Sequence, residues 1–252
     1  PELVEVGGNI IVREKYNRIV ENPGGKIQLL NNKPIESIFA YDYGTSFAAP
    51  KVANIVGRIA NKYPDKSANF IKNLVLISSD YKSFPKFRGS SAITKRKNLQ
   101  LQGYGIPNLE KALYSNDNSV VLFNEGRIKL DSATVFSLNI PSDFFNTKGY
   151  KKLTVALTYN PPTRDSRGDS YIGDSLQFKL FHTIDPKELV EKFSKIEGNN
   201  IDEENLVTIE FKNYELDLLP GSAIRNKGCH QKGIREFKKE GKKEYKEPLS
   251  LV

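Results

Sequence analysis

The chain has 252 residues, 38% of them hydrophobic, a single cysteine and a formal net charge of +8 at pH 7. That length supports one large domain or two medium ones, each with its own core. One cysteine excludes an intrachain disulfide, no run approaches the roughly 20 apolar residues of a membrane-spanning helix, and the interspersed acidic residues make the positive balance a solvated surface rather than a polyanion site.

Taken in chain order, Leu3-Val4-Glu5-Val6 is an apolar, strand-like piece, and Gly7-Gly8-Asn9-Ile10-Ile11-Val12 follows it. Residues 13–37 are polar, with Pro23-Gly24-Gly25 and Asn31-Asn32-Lys33-Pro34 as loop signals. From Ala49 onward Val52, Ala53, Val56, Ile59, Ala60 and Tyr63 form one stripe at helical spacing, which Pro64 ends. Ser67 is placed to cap a second helix whose inner face is Phe70, Ile71, Leu74 and Val75. A basic loop is expected over 81–98, and a short helix from Leu109 to Tyr114.

After Ser115-Asn116-Asp117-Asn118 the texture changes. Short β-like runs alternate with turns: Val120 to Phe123, Val135 to Ile140, Leu153 to Tyr159, Leu176 to Phe181 and Leu206 to Phe211. Val155, Leu157 and Tyr159 alternate with Thr154, Ala156 and Thr158, the period of a strand. Strands without intervening helices point to an antiparallel sandwich. Pro186 to Ile196 reads as a helical insertion, and Leu249 to Val252 as a last strand. The boundary between the two textures falls near residue 117.

The chemistry concentrates in Gly44-Thr45-Ser46-Phe47-Ala48-Ala49-Pro50. A glycine permits a tight backbone there, a hydroxyl residue sits at the exit, and a helix begins at once. Unpaired amides and the positive dipole end of a helix favour developing negative charge, which acyl transfer requires. Ser46 is the candidate nucleophile, with Gly44 and Thr45 supporting the turn and the oxyanion. The competing role for Ser46 is that of a helix N-cap. Pro50 is expected in the first helical turn, where a missing N–H costs little.

Extended to Lys51-Val52-Ala53, this motif resembles the serine motif of the subtilisin-like serine peptidases, the subtilases of peptidase family S8. Two further stretches match in the right order. Pro1-Glu2-Leu3-Val4-Glu5-Val6-Gly7-Gly8 resembles the strand that precedes the serine loop, with Glu5-Val6 in place of Ala-Pro. Gly103-Tyr104-Gly105-Ile106-Pro107-Asn108-Leu109-Glu110-Lys111-Ala112 resembles the close of the peptidase domain. Lys51 stands where many subtilases have histidine, and the long interval from Gly8 to Gly44 implies an expanded loop. Sedolisins share Gly-Thr-Ser, but the Ala48 to Ala53 continuation favours the subtilisin side.

The resemblance implies an α/β fold: residues 1–117 as the C-terminal part of a parallel-sheet peptidase domain, followed by an all-β, jelly-roll-like sandwich over 118–252. It implies serine endopeptidase chemistry on protein or peptide substrates; no cofactor and no metal are expected. In that family the triad runs Asp, His, Ser. Both histidines here, His182 and His230, follow Ser46 and lack the family's setting. The base, its orienting aspartate and the oxyanion asparagine are therefore expected from sequence outside these residues, the remainder of the peptidase domain, and the 252 residues alone are expected to be inactive. The alternative is a pseudopeptidase or interaction module that keeps the scaffold without a working triad.

Other signals are weighed against plain turn chemistry. Asp165, Asp169 and Asp174 could ligate calcium, but interleaved arginines make a solvated loop the better reading. The basic stretch Arg225 to Glu247 has few aromatics beyond Phe237 and Tyr245, so a nucleic-acid platform is not expected. The glycine pairs do not form a phosphate loop. The unstapled composition fits a reducing compartment such as the bacterial cytoplasm. The absence of methionine points to a piece of a longer gene product.

Overall fold

The structure, a computed structural model, describes residues 1–20, 22–80, 92–146, 149–164, 172–197, 211–237 and 248–252. The chain divides into two compact units, Pro1–Val121 and Leu122–Val252.

The first unit begins without a strand. The stretch Leu3–Val6 instead lies along the turn at 103–105: Val4 N–H donates to the Gly105 carbonyl (3.1 Å), and Tyr104 N–H to that of Glu2 (2.7 Å). Two antiparallel hairpins follow, β1 (Ile11–Arg13) with β2 (Arg18–Val20) and β3 (Ile27–Leu30) with β4 (Phe39–Asp42). They occupy the interval that the composition marks as loop. Asn17 closes the first hairpin at φ 46°, a left-handed conformation that asparagine tolerates. The parallel sheet that the resemblance implies is not formed by the described residues of this unit, whose ladders are these two hairpins. A parallel ladder needs neighbours joined by long crossovers, and each of these strands has only its hairpin partner.

Helix α1 (Thr45–Lys62) and helix α2 (Ala68–Ser78) follow. Ser67 caps α2 as its sequence predicts, its Oγ accepting from Phe70 N–H (3.2 Å). Residues 92–98, the end of the stretch placed in a basic loop by composition, instead belong to helix α3 (Ala92–Gln102). The straight-chain Lys, Arg, Leu and Gln residues there are good helix formers, so a basic run is no evidence against a helix. Helix α4 (Leu109–Leu113) is capped by Asn108, whose Oδ1 accepts from Lys111 N–H at 2.9 Å. The core lies between α1, α2 and α4: Ile59, Phe70, Ile71, Leu74, Val75 and Ala112, with Leu3 and Val121 packed against it. Val120–Phe123 forms no strand. Val121 joins the core while Val120, Leu122 and Phe123 stay exposed, because β propensity without a partner strand builds no ladder.

The second unit contains β5 (Phe136–Leu138), α5 (Ser142–Asn146), β6 (Lys151–Thr158), β7 (Leu180–His182), α6 (Pro186–Glu197), α7 (Ser222–Arg225), β8 (His230–Phe237) and β9 (Leu249–Leu251). β6 and β8 pair antiparallel over eight residues, from Lys151 opposite Phe237 to Thr158 opposite His230. A second antiparallel sheet has the order β5-β9-β7. One core joins the two sheets: Leu153, Val155 and Leu157 of β6 pack against the cluster of Phe178, Leu180, Leu216, Leu218 and Leu249. On β7, Leu180 belongs to that core and its neighbour Phe181 to another, with Ile184, Leu189, Phe211 and Phe193. Adjacent strand residues point to opposite faces, so the sheet is covered on both sides and α6 supplies the second cover. The expected run Leu206 to Phe211 lies outside the described residues except for Phe211.

Candidate active site

The route to Ser46 runs through the second hairpin. β4 delivers the chain to Tyr43 and Gly44, and α1 starts at Thr45. Gly44 occupies the N-cap position and has no side chain to cap with, so Ser46 is the second helical residue and not the N-cap. This removes the competing capping role. Thr45 and Ser46 are exposed, and the Ser46 hydroxyl has no hydrogen-bond partner among the described residues. Phe47 N–H donates to the Gly44 carbonyl at 3.1 Å, whereas the Thr45 and Ser46 amides reach no acceptor among the described residues. The helix thus opens with two free N–H groups and an exposed hydroxyl on adjacent residues, where the dipole favours negative charge.

Pro50 lies in the second turn of α1, not the first. It has no N–H to give the Ser46 carbonyl, so the helix lacks one ladder bond just below the serine.

The turn is held from outside the helix by residues 6–8. Gly44 N–H donates to the Gly7 carbonyl at 2.8 Å, and Lys51 Nζ donates to the Val6 carbonyl at 2.7 Å. A Cβ on Gly7 would run into the Gly44 carbonyl oxygen, so glycine is required for this approach. At Gly103, which has φ 55°, a Cβ would collide with the carbonyls of Pro1 and Glu2. The three motif segments singled out in the sequence therefore meet in space, with 1–8 lying between the serine turn and the 103–105 turn. Lys51 was given no task by the sequence; its departure from the usual histidine was the available signal.

A histidine base is not supplied by this unit, since residues 1–121 contain no histidine. His182 and His230 belong to β7 and β8 of the second unit. His182 Nδ1 lies 2.7 Å from Thr183 Oγ1. Burial, and secondarily the Arg235 guanidinium, hold its imidazole below the ordinary value of 6.5. Cys229 is a free, half-buried thiol. Among the described residues no group of three or more His, Cys, Asp or Glu could hold a metal ion. Of the acidic loop only Asp174 is described; Asp165 and Asp169 lie outside the described residues. From the basic stretch, Arg225 is buried, its guanidinium donating to the carbonyls of Pro220 and Phe178 (both 3.0 Å). Lys232 is buried too, so part of this basic stretch is internal. Among the described residues no helix is long and apolar enough to cross a membrane.

The structure thus places an exposed serine at the head of a helix, against an extended, glycine-bearing stretch that forms no strand. Residues 1–105 match the family model of the subtilases, Peptidase S8, and this stretch is subtilase-like. The whole chain is similar to the uncharacterized protein y4bN of Sinorhizobium fredii (strain NBRC 101917 / NGR234), 29% identical over 262 residues, and it spans 58% of that relative's length. No solved structure matches.

Proposed function

We propose that the chain carries the nucleophile segment of a subtilisin-type serine endopeptidase acting on protein or peptide substrates. The observation that carries this reading is Ser46 itself, exposed beside two unpartnered amides at the head of α1, inside a Gly-Thr-Ser-x-Ala-Ala-Pro motif. In this mechanism Ser46 Oγ attacks the scissile carbonyl as a histidine takes its proton. The Ser46 amide donates to the oxyanion, with Gly44 and Thr45 holding the turn. The histidine, its aspartate and the second oxyanion donor come from polypeptide outside these 252 residues, so the chain by itself is inactive.

Residues 1–117 are then the C-terminal part of the peptidase domain and 118–252 a β-sandwich domain of jelly-roll type. The exposed apolar side chains of the hairpin region, among them Ile19, Leu30, Ile35 and Phe39, support a remainder of the domain that covers them. The two-sheet core of the second unit supports the sandwich. The free Cys229 supports a reducing compartment such as the bacterial cytoplasm.

The test is labelling of the full-length protein with a fluorophosphonate, alongside Ser46→Ala. Label on the native protein and none on the variant is the expected result. Equal label on both excludes Ser46 as the nucleophile, and label on neither makes the protein a pseudopeptidase or interaction module.

A further inference from the structure

We propose that Lys51 is a positioning residue for the turn that presents Ser46; the proposal rests on the reading of Ser46 as nucleophile. Three observations meet at this side chain. First, Lys51 Nζ donates to the Val6 carbonyl at 2.7 Å, a tie between residues 45 apart in sequence. Second, the next residue, Gly7, accepts the Gly44 N–H at 2.8 Å and packs so closely that a side chain there would strike the Gly44 carbonyl. Third, Pro50 withholds the ladder bond that would otherwise steady the Ser46 carbonyl.

The tie and the Gly7–Gly44 bond close a loop through the serine turn. From Ser46 the chain passes along α1 to Lys51, across to Val6 and Gly7, and back through Gly44. The proline leaves the head of the helix short of one internal bond, and the residue directly after it supplies an external one. An ammonium donor to a carbonyl is a charge-assisted bond, stronger than a neutral pair. Without it, residues 6–8 lose their side-chain anchor on α1, and the Gly44 bond to Gly7 is left alone to set the angle of the turn. Histidine is shorter than lysine, so the tie to the Val6 carbonyl is fitted to the lysine this chain carries. Lys51 acts through Gly44 on the direction of the Ser46 hydroxyl and has no part in the reaction itself.

The experiment uses the full-length protein with Lys51→Met, Lys51→Gln, Lys51→Arg and Ser46→Ala. It measures the limiting rate of phosphonylation by a fluorophosphonate, the concentration that half-saturates it, and hydrogen exchange at the Gly44 amide. Lys51→Met should lower the limiting rate about tenfold or more, since a displacement of about 1 Å at a reacting group costs on the order of 100-fold. The half-saturating concentration should hold, Gly44 exchange should quicken, and Lys51→Arg, which still donates to a carbonyl, should restore both. Lys51→Gln serves if the methionine variant does not fold. Labelling and Gly44 exchange that both match the native protein in the methionine or glutamine variant overturn the positioning role and leave the nucleophile standing. A native protein that labels no better than Ser46→Ala, with Gly44 exchange still quickened by loss of Lys51, overturns the nucleophile and leaves the support of the turn standing.

Discussion

The two units handle their apolar side chains in opposite ways. In the second, Leu180, Phe181, Leu189 and Phe211 are wholly buried, and β7 has a packed core on each face. In the first, one modest core lies between α1, α2 and α4, while the hairpin region leaves Ile19, Leu30, Ile35 and Ile38 exposed. Of the 18-residue helix α1 only Ile59 is fully buried. Burial of apolar area is the main favourable term in folding, so the second unit has the stronger internal reason to hold its shape. The candidate site sits in the unit with less of it, and local devices hold its geometry: a glycine contact, the Gly44–Gly7 backbone bond and a lysine tie. The lesson is that a turn can be held by local contacts where the hydrophobic core is modest.

The largest effect that could break this contrast is Phe181→Ala. Phe181 packs edge-on to Phe193 and Phe211, and its loss should cost about 3–5 kcal/mol, read as a lower urea midpoint for the second unit. A midpoint that does not move would mean this core is no tighter than the first. Next is Ser67→Ala in the first unit, which removes the acceptor for Phe70 N–H and should cost about 1 kcal/mol by the same measurement.

A smaller effect concerns pH. His182 is held below its ordinary value by burial and by Arg235, so between the folded and unfolded values the unfolded chain binds more protons. Stability therefore rises with pH in that window: it is complete above about pH 6.5 and declines on acidification toward the lower, folded value. Melting temperatures from about pH 7 to pH 5 should fall less steeply in His182→Gln than in the native protein. Smallest of all, in the 252 residues by themselves Ile35→Ser replaces a fully exposed side chain and should shift stability by no more than about 0.5 kcal/mol. A larger loss in the full-length protein is expected if the remainder of the domain covers the hairpin face, and an equally small one would argue against that cover.

Much of the local structure was legible from side-chain pattern. The helical stripe from Val52 to Tyr63, the Ser67 cap, the short helix at Leu109 and the alternation in β6 all appear where spacing places them. These features depend on neighbours within a few residues, so a linear reading reaches them. What escaped it depended on partners far away. The hairpins at 11–42 escaped because their strands are only three or four residues long, too short to display a period, and lie among loop residues. Basic character hides α3. Val120–Phe123 has strand chemistry but no strand beside it.

The candidate site divides along the same line. The identity of Ser46, the glycine before it and the apolar helix after it are properties of consecutive residues, and the order of amino acids alone was enough to mark them. The placement of Val6 and Gly7 against Gly44, the reach of Lys51 across 45 residues, and the shift of Pro50 into the second helical turn were settled only by the folded chain. The physical reason is range: backbone propensity and capping act over one or two turns, whereas a carbonyl meets its donor wherever packing brings the two together.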